Sequence, residues 1–78
     1  MAHLIAAGID AGQKHLDVGI APTGKTYRVA NTPAGIARIV ERLSALDVGR
    51  VVLEAIGPYA QRLVEALGRA GFEVGIVN

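Results

Sequence analysis

The chain has 78 residues, 51% of them hydrophobic, with one Phe, two Tyr and no Trp, so its core has to be aliphatic. A formal charge of +1 says nothing of any local patch, and the absence of Cys excludes a disulfide framework and any thiolate metal site. The apolar run near the N-terminus has no basic segment before it and is too short for a signal peptide or a membrane span. The expectation is a soluble cytoplasmic protein with no membrane partner, one small domain or a piece of one.

In chain order, the first element is a strand over roughly Leu4 to Asp10. It is an unbroken apolar run, the pattern of a strand covered on both faces, and it stops at an acid. After a turn from Ala11 to Lys14, Leu16, Val18 and Ile20 alternate with Asp17 and Gly19, which predicts a second strand with one wetter face. Pro22-Thr23-Gly24 marks a turn, and Lys25 to Ala30 has β-type composition. Asn31-Thr32-Pro33 is a helix start, because Thr32 can cap and Pro33 at the first helical position loses no hydrogen bond. Ile36, Ile39, Val40, Leu43 and Leu46 follow at helical spacing, and the helix is expected to end near Asp47-Val48-Gly49. Arg50 to Glu54 is a fourth strand, again an apolar run that ends on an acid. Gly57-Pro58 opens a second helix with Tyr59, Leu63, Val64, Leu67 and Ala70 inward and Gly71 as its stop. Glu73 to Asn78 is the last strand.

The order β-β-β-α-β-α-β constrains the topology. Short connections make the first three strands an antiparallel meander, and helical crossovers make strands three, four and five parallel. Strand four, the more apolar, belongs beside strand one, which gives a mixed five-stranded sheet of order 3-2-1-4-5. Right-handed crossovers that step the same way put both helices on one face. This α/β arrangement is that of ribonuclease H. It brings Asp10 and Glu54 to the same sheet edge on adjacent strands, about 4.8 Å apart, at the edge where ligands of open α/β sheets bind. Two such carboxylates repel unless one holds a proton or a cation lies between them. Oxygen ligands of this kind suit Mg²⁺ or Mn²⁺, ions that cleave phosphodiesters. A turn cap at Asp10 and an ion pair at Glu54 account for either acid alone; their matched positions favour a metal.

Gly8-Ile9-Asp10, Lys14, Leu16-Asp17-Val18, Asn31-Thr32-Pro33-Ala34-Gly35-Ile36 and Val51-Val52-Leu53-Glu54-Ala55 with Gly57 and Tyr59 carry a resemblance. In order and spacing the chain resembles the N-terminal part of the IS110-type (IS110/IS1111) transposases from about Gly8 to Asn78. The resemblance implies a RuvC-like ribonuclease H fold with an Asp-Glu-Asp-Asp metal site. It also implies DNA recombination that moves an insertion element, and a link to a guiding RNA. Asp10 matches the first acid and Glu54 the second, with Mg²⁺ or Mn²⁺ as the expected cofactor. The two later aspartates and a downstream serine fall beyond Asn78, so residues 1–78 are expected to form an incomplete catalytic domain that is inactive alone. Position 56 is Ile where the family more often has Thr, and position 58 is Pro where Gly is common.

Other residues carry weaker signals. Lys14 follows Asp10 in the turn and is read either as a phosphate contact for nucleic acid or as a solvated turn lysine. His3 and His15 have no partner at metal spacing and are read as surface residues. Asp17 is read as solvated, Tyr59 as core, and Arg38, Arg42, Arg62 and Arg69 as outer-face residues open to phosphate contacts. A nucleotide-binding piece of the actin and sugar-kinase type fits Gly8-Ile9-Asp10-Ala11-Gly12 loosely but gives no reason for Glu54. A stand-alone junction resolvase would need further acids, and a dimerisation or RNA-binding module needs none. Strands one and four, read as apolar on both sides, predict that the helix-free face is buried in a homo-oligomer.

Overall fold

The computed structural model describes residues 5–55 and 57–77. The readings placed on His3, Leu4, Ile56 and Asn78 lie outside those residues. The elements are β1 (Ala6–Ala11), β2 (His15–Ala21), β3 (Lys25–Ala30), α1 (Pro33–Ala45), β4 (Arg50–Ala55), a 3₁₀ turn (Pro58–Ala60), α2 (Gln61–Arg69) and β5 (Glu73–Val77). They form one sheet of order β3-β2-β1-β4-β5. The β1–β2 and β2–β3 pairs are antiparallel, and β1–β4 and β4–β5 are parallel. The expected α/β architecture is the one observed.

The core lies on one side of the sheet. Ala7, Ile9 and Ala11 of β1, Leu16, Val18 and Ile20 of β2, and Val51 and Leu53 of β4 alternate into it. They meet Ile36, Ile39 and Leu43 of α1 and Ala60, Leu63 and Leu67 from the second helical segment. α1 packs over β3, α2 over β5, and the two helices touch each other. Each fully buried Leu or Ile here contributes about 1.5–3 kcal/mol relative to exposure. The alternate positions face away from the helices. Most are small or charged: Ala6, Gly8 and Asp10 in β1, and Glu54 beside Val52 in β4. Among the described residues the expectation that both strands are apolar on both sides is therefore corrected: of these, only Val52 and, on β5, Val77 put large apolar side chains on the helix-free face, 37% and 46% exposed.

The local chemistry explains the boundaries. Thr32 is extended, and its hydroxyl accepts a hydrogen bond from the Gly35 N–H at 3.1 Å, which caps α1 ahead of Pro33. The helix stops at Ala45, earlier than the apolar spacing suggests. Asp47 takes a positive φ of 57°, which turns the chain and sends Val48 into the core. Leu46, expected in the inward stripe, is 45% exposed as a result. α2 ends in a Schellman motif: Gly71, with φ of 91°, donates to the Gly68 carbonyl, and Phe72 donates to that of Leu67. Ala70, expected to point inward, lies past the helix end and is exposed.

Candidate functional site

Asp10 and Glu54 are register partners on the adjacent parallel strands β1 and β4. Each lies one residue before its strand's end rather than at it, since Ala11 and Ala55 continue the same pairing. Both are exposed, and both line a shallow cleft of about 260 Å³ on the helix-free face, together with Gly8, Ile9, Asp17 and Val52. The strand period places the acids on one face because the partner positions Ile9 and Leu53, one residue earlier, are consumed by the core.

The row continues beyond these two acids. Asp10 is also the register partner of Asp17 on β2, and Asp17 is that of Arg28 on β3. One line across the sheet thus reads Arg28, Asp17, Asp10, Glu54. Asp17, read from sequence as a solvated residue, is a neighbour of the acid pair. A signal for it existed: in a tight hairpin whose turn is centred between Gln13 and Lys14, Asp10 and Asp17 are equidistant from the turn and must face each other. Arg28 grips it in a two-pronged contact, Nε to Oδ1 at 2.7 Å and the terminal nitrogen to Oδ2 at 3.2 Å. The Arg28 hydrogen bond, reinforced by its charge, holds the Asp17 carboxyl below its ordinary value. A depressed pKa of this kind favours the fold above the unfolded-state value and ceases to do so as pH falls through the folded-state value. The pair is solvent-exposed, so salt screens the effect. Both Asp17 oxygens are committed to Arg28, which leaves Asp10 and Glu54 as the acids without a partner in the row.

The loops that follow the two acid-bearing strands are tied together by Asn31. Its side-chain nitrogen donates to the Gly12 carbonyl at 2.8 Å and to the Tyr59 carbonyl at 2.9 Å, while its backbone N–H donates to Lys14 at 2.9 Å. In sequence Asn31 marks only a helix start, and no local pattern announces a side chain that bridges segments 19 and 28 residues away. Asn31→Ala removes two hydrogen bonds of about 1 kcal/mol each, and for a chain this short the melting temperature is expected to fall by roughly 10 °C. Asn31→Asp should cost more, because it sets a carboxylate against two carbonyl oxygens. Unaltered thermal unfolding of both variants would refute the bridging role.

The remaining candidates sit as follows. Lys14 is exposed in the β1–β2 turn and does not line the acid cleft. His15 is exposed at the start of β2. Tyr59 is 39% exposed, which corrects its reading as a core residue. The connection begins with a 3₁₀ turn after Gly57 at φ 80°, so Ala60 takes the buried position. Tyr59 instead lines a second cleft with Gln13, Asn31, Pro58, Gln61 and Arg62.

Two hard oxygen donors in register suit a magnesium-like ion, which proteins commonly bind through one or two carboxylates together with water and substrate phosphate. Among the described residues no group of three His, Cys, Asp or Glu side chains is placed to hold a metal. Nor is any described helix long and apolar enough to cross a membrane.

Among solved structures, the fold is similar to Thermus-type RuvC, "T. thermophilus RuvC in complex with Holliday junction substrate", with a TM-score of 0.67 and 22% identity. The alignment covers 96% of this chain and 64% of that one, so this chain spans a little under two thirds of the RuvC chain. At that identity the likeness is one of fold. No curated protein gives a significant match. The family model DEDD_Tnp_IS110, described as a transposase, matches residues 7–78. Nearly the whole chain lies within that match, and it belongs to the IS110-type DEDD transposase family.

Proposed function

We propose that residues 1–78 form the first half of a metal-dependent DNA strand-cleaving centre in a transposase that moves an insertion element. The observation that carries this reading is the register pairing of Asp10 with Glu54 on one open face of the sheet. Asp10 and Glu54 would hold Mg²⁺ or Mn²⁺ jointly with acids from elsewhere in the protein. When bound, such an ion activates an attacking oxygen and stabilises a leaving one on a phosphodiester. The chain's own contribution is positional. The two strands hold the carboxylates side by side, Arg28 removes Asp17 from competition for the ion, and Asn31 ties the two flanking loops together. The partner in this reading is DNA, as for the RuvC neighbour with its Holliday junction. Substitution of either acid in the complete transposase tests the proposal, with loss of recombination expected.

For residues 1–78 taken alone, which are not expected to cleave DNA, a second copy of the chain is proposed to cover the helix-free face. Thr26, Gly19, Gly8, Val52 and Gly75 form one cross-strand row there, beside the acid row. Its small residues allow close approach, and Val52 and Val77 are left exposed. Light scattering of the pure chain should show a dimer or larger assembly at low micromolar concentration. A folded monomer that binds no hydrophobic dye would overturn this.

A further inference from the structure

The helix-free face carries a cation in line with its acids. Arg28, Asp17, Asp10 and Glu54 follow one another in one register row across β3, β2, β1 and β4, and side chains directly opposite on neighbouring strands share a face. Asp17 borders the shallow cleft that holds Asp10 and Glu54. It also borders a second one, of about 390 Å³, with Gly19, Thr26 and Arg28 among its walls. The two clefts therefore join into a trough that runs across the sheet from the acid pair to Arg28. Its floor is low. The neighbouring row reads Gly8 and Gly19 on β1 and β2, where an added Cβ would meet nothing within 4 Å and only the Thr26 methyl at 3.8 Å respectively.

Arg28 is half-committed at most. Its guanidinium has five N–H donors, and the Asp17 carboxylate accepts from two of them. The other three have no acceptor among the described residues, and the side chain is 61% exposed. An ion pair this exposed adds little to stability, so it is poorly explained as a staple between β2 and β3. What the two-pronged grip does achieve is to fix the guanidinium over β2 and to cancel the Asp17 charge, which would otherwise repel a polyanion crossing the row. β3 is two strands from β1, about 10 Å at ordinary spacing. Phosphates on one DNA strand recur every ~3.4 Å of helix axis, so a strand with one phosphate at the acid pair brings another to Arg28. We propose that Arg28, held in place by Asp17, binds the DNA backbone two or three nucleotides from the phosphate at Asp10 and Glu54. This rests on the reading of that pair as a DNA-cleaving centre, and it names where the strand leaves that centre along the open face. The contact is to phosphate, so it positions the DNA without reading its sequence.

The test uses the complete transposase in an Asp10→Asn/Glu54→Gln background, where the acids neither repel DNA nor need a metal ion. Binding of a 20-base-pair DNA duplex is followed by fluorescence anisotropy across a salt series in EDTA. Adding Arg28→Gln is expected to weaken binding about eightfold near 0.1 M salt and to shrink the slope of log affinity against log salt by about 0.9, the loss of one phosphate contact. Adding Asp17→Asn as well decides what Arg28 does. If its sole task is to neutralise Asp17, removing both restores the background affinity and overturns the proposal; a phosphate contact stays lost. Arg28→Lys keeps the charge and should keep the slope. Arg38→Gln on α1, across the sheet from the trough, removes the same charge and should leave binding within about twofold. Equal weakening by Arg38→Gln, an unaltered slope in Arg28→Gln, or tighter Arg28-dependent binding of an RNA hairpin than of the duplex would each overturn the proposal. Because both acids are already neutral here, the result is independent of whether Asp10→Asn alone abolishes recombination, and the cleavage reading and the Arg28 contact fail separately.

Discussion

Asp10→Asn or Glu54→Gln in the complete transposase is expected to reduce strand cleavage and recombination by about 10²–10³-fold, the scale on which removal of one charge-stabilising group acts. The fold should not suffer. Both side chains are exposed and neither makes a hydrogen bond or ion pair among the described residues, and surface changes of this kind lie within about 0.5 kcal/mol. Removing one of two facing negative charges can even stabilise the sheet slightly, because like charges directly opposite are unfavourable. Asp17→Asn is the informative companion. It sits in the same row, yet both its oxygens belong to Arg28, so activity should stay within a few-fold of the parent. Recombination assays on the three variants, with thermal unfolding of each, decide the matter. Parental activity in either Asp10→Asn or Glu54→Gln would remove the metal role, and equal loss in all three would mean only that the row's charge matters.

Gly35→Ala is expected to be among the most damaging single substitutions for stability. The added methyl would overlap the backbone carbonyl of Ala30, which cannot swing aside as a flexible side chain would. Either α1 shifts off β3 or the β3–α1 link distorts. Overpacking of this kind costs about 1–3 kcal/mol, roughly 4–8 °C of melting temperature per kcal/mol in a chain of this size. Gly68 provides the contrast. A methyl built there meets nothing within 4 Å, and its φ is not positive. Being helical, Gly68→Ala should stabilise by up to about 1 kcal/mol. Thermal unfolding of the pair separates crowding from helix propensity, and equal melting temperatures would sink the account of Gly35.

Much of this protein follows from local pattern. The Thr32-Pro33 cap, the Gly71 stop, the meander turns and the two crossover helices are each determined within a few residues, by capping hydrogen bonds and by backbone preferences. Given those, the apolar character of strand four set it beside strand one and so fixed the sheet order, and the chirality of parallel crossovers put both helices on one face. The juxtaposition of Asp10 and Glu54 followed, since each comes one residue after a core position on neighbouring strands. What tertiary structure alone decided is where side chains meet across large separations in sequence. Arg28 on Asp17, Asn31 between the Gly12 and Tyr59 carbonyls, and Arg42 over Tyr27 depend on register and helix placement together. The same holds for which apolar residues stay outside. Leu46, Tyr59 and Ala70 have helical spacing that points inward, but Leu46 and Ala70 each come one residue past a helix end and Tyr59 lies in the 3₁₀ turn before α2. Periodicity reports the face a residue would take if its helix continued; the positive φ values at Asp47, Gly57 and Gly71, set by how the chain must return to the sheet, determine whether it does.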